Sequence, residues 1–311
     1  MKTLQWATML SLAATVRGQF AGGFSPSNAP YGGFGGGSCT STHTPIIFLH
    51  GNGNNAQNWF DGVSQGAPNP VATFQNAGYT PCDLFGVTWL STSAQAASQA
   101  QYNYHEEGKA KIVSNFIADV LSYTGKSKVV IIGHSMGVTV GLHGITYENQ
   151  WGNIDTFLSI AGAMKGLDSC LAVGYANAYY PTCGSQNVYD SNVFGFYPSQ
   201  NPRMQSGGFR DYPSQLGGVT FYSINAGTSD EIICSTGTNC QSSVFDSSSN
   251  IHAQINVGYG SPSVNGNDDS SGVGHFRAKR NTGAIQVNMI LNRCSGTGCC
   301  SGYSGPTCAT S

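Results

Sequence analysis

The chain has 311 residues, only 9% of them charged, and a formal net charge of −2 at pH 7. That length accommodates one large α/β domain or two small ones, and no composition break or long linker divides it, so one domain is the simpler reading. With no basic patch and no polybasic run, the sequence excludes nucleic acid and anionic lipid as partners.

Lys2 followed by the mostly apolar run Leu4–Val16, with small residues at 16 and 18, reads as a secretion signal cleaved before Gln19. No other segment reaches the roughly 18 apolar residues of a membrane span. A secreted, extracellular location agrees with ten cysteines, all after residue 18. Their even number permits five disulfides, and spacing suggests the local pairs Cys170–Cys183 and Cys234–Cys240. The scattered cysteines do not have zinc-site spacing, so no metal is expected. No N-x-S/T acceptor occurs, and no N-glycan is expected.

Residues 19–44, rich in Gly, Ser, Pro and aromatics, read as an irregular surface arm. Pro45–Leu49 is an unbroken apolar run suited to a central parallel strand, and it ends in His50-Gly51-Asn52-Gly53. Val71–Ala77 predicts a short helix and Leu84–Leu90 a strand. Gly108–Tyr123 carries Ile112, Val113, Phe116, Ile117, Val120 and Leu121 on one helical face, with Gly125 as a stop. Lys128–Ile132 predicts a buried strand and Val138–Tyr147 a helix. Ile154–Ile160, Val219–Asn225 and Ile251–Val257 predict further strands, residues 165–217 a loop-rich stretch, and Gly283–Leu291 a last helix. Alternating strands and helices imply a mostly parallel sheet covered on both faces.

Between the strand at 128–132 and the following helix lies Gly133-His134-Ser135-Met136-Gly137, a G-x-S-x-G nucleophile elbow. Its glycines allow a turn tight enough to lift the Ser135 hydroxyl above the sheet. A serine needs a histidine to take its proton and a carboxylate to orient that histidine, and the chain order in such folds is Ser, acid, His. His275, in a glycine-rich loop before the last helix, is preferred over His252, which starts an apparent strand. Asp230, directly after a late strand, is the preferred acid, with Glu231 second. Asp246, Asp268 and Asp269 read as solvated turns. The N–H groups of Met136 and Asn52 are the candidate oxyanion donors.

These residues in this order resemble a lipase-type α/β-hydrolase. The runs Tyr31–Cys39, Pro45–Asn54, Gln101–His105, Gly174–Ala178, Pro181–Asn187, Ala253–Gly258 and Gly272–Arg277 further resemble extracellular poly(3-hydroxybutyrate) depolymerases of the lipase-like type, which attack amorphous, native granules. The resemblance implies an α/β-hydrolase fold with Ser135, Asp230 and His275 as the triad and the Met136 and Asn52 amides as the oxyanion hole. It places Tyr104 and Tyr175 beside the cleft and implies no cofactor. It also implies a monomer acting on a polyester or lipid surface, with a triacylglycerol lipase or general carboxylesterase as the alternative. The stretch after Phe196 is shorter and poorer in Trp and Tyr than the family's segment. The expected organisation is a signal over 1–18, a hydrolase domain over 19–293 and a Cys-rich tail over 294–311.

Overall fold

In the computed structural model, which describes residues 19–61, 68–184, 190–235 and 243–311, the apolar runs become strands buried on both faces. The proposed signal over 1–18 lies outside the described residues, as does Cys240 of the suggested Cys234–Cys240 pair.

In chain order the strands are β1 (Gly33–Phe34), β2 (Ile46–Leu49), β3 (Leu84–Val87), β4 (Val129–His134), β5 (Ile154–Ile160), β6 (Thr220–Asn225), β7 (Ile251–Asn256), β8 (Val264–Asn265), β9 (Asp268–Asp269) and β10 (Ala309–Thr310). The helices are α1 (Pro70–Asn76), α2 (Glu107–Thr124), α3 (Met136–Tyr147), α4 (Asp168–Val173), α5 (Tyr212–Gln215), α6 (Arg277–Arg280) and α7 (Gly283–Ile290). Eight strands form one sheet in the order β1-β3-β2-β4-β5-β6-β7-β10, with β8 and β9 a separate antiparallel pair. Neighbours from β3 through β7 pair in parallel, whereas β1 and β10 are added antiparallel at the two edges. This is the expected α/β-hydrolase architecture.

Because side chains alternate along a strand, β2 sends Ile47 and Leu49 to one face and Ile46 and Phe48 to the other. The first face packs against Val113, Phe116, Ile117 and Val120 of α2 and Val138 and Leu142 of α3. The second packs against Val71 and Phe74 of α1 and Ile285 and Met289 of α7. Each such buried side chain contributes about 1.5–3 kcal/mol, which explains why these helices form where their apolar stripes predict. Gly125 stops α2 with a φ of 67°, its N–H donating to the Leu121 carbonyl at 2.9 Å.

Three expectations change. The arm at 19–44 is not merely superficial: Phe24 and Phe34 are buried, and Phe24 packs on Phe85, Phe116 and Tyr123. The strand expected to run to Leu90 ends at Val87, because the Trp89 N–H and indole N–H turn aside to His50. Asp246, Asp268 and Asp269 are not solvated turns, since each is paired or buried: Asp246 with Arg210 and Lys165, Asp268 with Arg277. Asp269 is almost fully buried.

Among the described residues, four disulfides join Cys39–Cys82, Cys170–Cys183, Cys294–Cys299 and Cys300–Cys308. The second is the pair suggested by spacing. Among the described residues no helix is long and apolar enough to cross a membrane.

Candidate active site

The chain runs from β2 outward to β3 and then crosses back to β4, so the sheet order reverses at β2/β4. Ligands in open α/β sheets bind where the carboxyl ends meet such a reversal. The loops after β2 and β4 carry Asn52 and Ser135.

Ser135 has φ 56° and ψ −129°, a strained conformation for a residue with a side chain. Its N–H is held by the Ile160 carbonyl of β5 at 2.9 Å. From Val129 to Ile145 every residue is buried except Ser135. The elbow therefore presents one side chain to the outside and hides its neighbours. Gly137 is required because a Cβ there would lie 2.4 Å from the His50 carbonyl oxygen.

The loop after β2 reaches the serine directly: a Cβ on Gly51 would sit 3.1 Å from both the Ser135 Cβ and His134 Nδ1. His50 sets this loop. Its Nε2 accepts from the Trp89 N–H at 3.2 Å, so the proton is on Nδ1, which donates to the Gly51 carbonyl at 2.8 Å. Burial holds His50 down to about 3, which keeps the ring neutral and this tautomer fixed. Anchoring the Gly51 carbonyl also anchors the Asn52 N–H, because both belong to one planar trans peptide. The Asn52 side chain is tied back by donating to the Ala100 carbonyl at 2.8 Å and accepting from Asn103 Nδ2 at 2.7 Å. Met136 is the first residue of α3, and its N–H has no intrahelical acceptor.

Asp230 lies just past β6 and His275 in the loop leading to α6. Both Asp230 carboxylate oxygens are 3.0 Å from His275 Nδ1, and the two side chains are buried. Asp230 is itself fixed by the Ile232 and Ile233 N–H groups, at 3.1 and 2.8 Å. Burial pushes His275 toward the neutral form, but the nearby carboxylates of Asp230, Glu231 and Asp269 outweigh it and raise the imidazole above its ordinary value. The His134 ring, one residue before the serine, lies 4.8 Å from the His275 ring.

The structure thus brings Ser135, Met136, the Asn52 loop, Asp230 and His275 to one end of the sheet. His252 stays apart on β7, 3.3 Å from the Tyr222 hydroxyl. Glu231 contacts the His275 backbone rather than its ring, accepting its N–H at 3.0 Å. Tyr104 follows Asn103, the partner of Asn52, with Lys109 Nζ 5.0 Å from its ring centre. Tyr175 packs edge-on against Tyr197 in the segment after α4. Among the described residues no cluster of His, Cys, Asp and Glu could hold a metal ion. Sequence reasoning missed His50, Trp89, His134 and Asp269. The one available signal was the acidic doublet Asp268-Asp269 just before the His275 loop.

No curated protein matches the sequence. Among solved structures, the chain is similar to Aspergillus fumigatus lipase B, with 16% identity and a TM-score of 0.44, over 69% of this chain and 44% of that one. It is also similar to the mature form of Bacillus licheniformis lipase BlEst2, at 12% identity and TM-score 0.38, over 59% and 66% of the two chains. The esterase RhEst1 from Rhodococcus sp. ECU1013 matches at 16% identity and TM-score 0.34, over 64% and 78%. The chain therefore spans less than half the length of the Aspergillus lipase. Residues 43–206, more than half of the chain, match the family described as Lipase (class 2), and the protein belongs to that family.

Proposed function

We propose that this protein is a secreted serine ester hydrolase whose substrate is poly(3-hydroxybutyrate) or a related aliphatic polyester. The observation that carries the chemistry is a strained serine whose neighbour His134 lies 4.8 Å, ring to ring, from His275 of a buried His–Asp pair. Ser135 Oγ attacks the ester carbonyl while His275 takes its proton through Nε2, Nδ1 being committed to Asp230. The oxyanion rests on the Met136 and Asn52 amides. His275 then protonates the leaving alcohol, and water releases the acyl group by the same route.

The polymer assignment rests on the sequence resemblance and on exposed apolar and aromatic side chains. Tyr102 and Tyr180 are exposed, as are Leu171 and Tyr179, the last at 77%. Their segments adjoin the Asn52 loop: Ala100 accepts from Asn52, and Gln101 accepts from the Thr182 N–H at 3.0 Å. Exposed apolar side chains on segments adjoining the Asn52 loop suit a water-insoluble ester. The family match equally favours a triacylglycerol lipase. Disulfides in the described residues support an extracellular setting.

The test is clearing of amorphous poly(3-hydroxybutyrate) suspensions beside emulsified triglyceride, for wild type and Ser135→Ala. Clearing by wild type alone, with little triglyceride release, is expected, and Ser135→Ala should lose on the order of 10⁵-fold in kcat. Triglyceride release without clearing would replace the polymer substrate by a lipid one. Equal activity of the two proteins would overturn the nucleophile.

A further inference from the structure

The loop that delivers His275 is held in an unusual way. Four consecutive backbone N–H groups, from Gly274 to Arg277, all donate to carboxylates. Gly274 donates to Asp269 Oδ2 at 2.5 Å, Phe276 to Asp269 Oδ1 at 3.0 Å and Arg277 to Asp269 Oδ2 at 3.1 Å. His275 itself donates to Glu231 Oε2 at 3.0 Å. On the other side, His134 is 3.1 Å from the His275 carbonyl. Burial, with the neighbouring His275, keeps His134 well below the ordinary histidine range and hence neutral. A carbonyl only accepts, so the His134 proton sits on Nε2 and is donated to it.

We propose that Glu231 is a positioning residue for the reaction: Asp230 fixes the His275 ring while Glu231, opposite His134, fixes its main chain. The inference rests on the serine-hydrolase reading above. One acidic dipeptide thereby grips both parts of the histidine, so the ring cannot rotate or translate without breaking a charge-assisted bond. Gly274 is matched to this grip, since a Cβ there would lie 2.1 Å from Glu231 Oε2. The titratable groups set against Glu231 are Asp230, the residue before it, Asp269 on β9 and His275 on the histidine loop. Burial, then the neighbouring Asp269 carboxylate, raises Glu231 to about 7. Where Glu231 is ionised, above that pH, its charge in turn raises His275.

The experiment compares Glu231→Gln and Glu231→Ala with wild type and Ser135→Ala on a soluble short-chain ester, measuring kcat, KM, the pH profile of kcat/KM and Tm. Glu231→Ala removes the amide's acceptor, and kcat is expected to fall about 10- to 100-fold with KM unchanged. Glu231→Gln keeps an acceptor without a charge, so it should recover most of kcat while the acid limb of kcat/KM moves to lower pH. Profiles and kcat of both variants superposing on wild type would overturn the proposal. So would a Gln variant that is folded, by an unchanged Tm, yet as slow as the Ala variant. If Ser135→Ala is as active as wild type, it is the serine-hydrolase reading that fails, whatever Glu231 does.

Discussion

The two halves of the site are built by different means. The half with the proposed nucleophile, residues 129–137 with the Asn52 loop, contains no charged side chain and is specified by shape: a strained φ at Ser135, glycines where backbones touch, and a neutral, buried His50. The half with the proposed acid and base is specified by charge. Asp230, Glu231 and Asp269 converge on one loop from segments about forty residues apart in the chain, and they take up its ring and its amides. The difference teaches that the serine's geometry should respond to added volume and not to pH, whereas the histidine's should respond to both charge and pH.

The contrast is sharpest at Asp230. Asp230→Asn keeps the shape but removes the charge that orients and raises His275, and kcat should fall on the order of 10⁴-fold. On the proposed mechanism, His275 acts only when unprotonated. Because His275 is raised, activity should be lost as pH falls through a limb lying above the ordinary histidine value of about 6.5. In Asp230→Asn the residual activity should show that limb at lower pH, as measured by kcat/KM from pH 5 to 9. A limb that stays in place would break the assignment of charge to this half.

Gly51→Ala probes the other half. Its new Cβ lies 3.1 Å from the Ser135 Cβ and displaces the Asn52 amide, which should cost about 100-fold in kcat. The pH limb should stay where wild type has it, since no charge is touched. Movement of the limb in this variant would erase the distinction between the halves.

Cys39→Ser combined with Cys82→Ser acts on neither half. That disulfide closes a sequence separation of 43 residues, so its loss should lower stability by about 4 kcal/mol on chain-entropy grounds. The effect would be read as a lower Tm, with kcat unchanged at temperatures where the variant is folded.

The same contrast governs what could be read from the sequence. Strands buried on both faces announce themselves as apolar runs, and the elbow is one contiguous motif, so β2, β4, β5 and Ser135 follow from local pattern. Asp230 and His275 could be placed by chain order and by their positions after strands. Asp269 could not, because an Asp-Asp pair in a Ser- and Asn-rich loop looks solvated until the tertiary fold delivers three amides to the second of them. His50 and Trp89 lie 39 residues apart, and no periodicity links them. β1 and β10, at two residues each, are too short for any pattern, and Phe24 is buried by partners that its own irregular segment does not reveal.

Those two short strands have a consequence of their own. Each covers an outer edge of the parallel sheet, β1 on β3 and β10 on β7, and each sits close to a disulfide, Cys39–Cys82 and Cys300–Cys308. Ser311 extends the cover by donating to the Gln254 carbonyl at 2.9 Å. Bare parallel edges recruit strands from other molecules. By covering those edges, cross-linked segments oppose self-association as well as unfolding, and the expected outcome under reducing conditions is clumping of still largely folded chains.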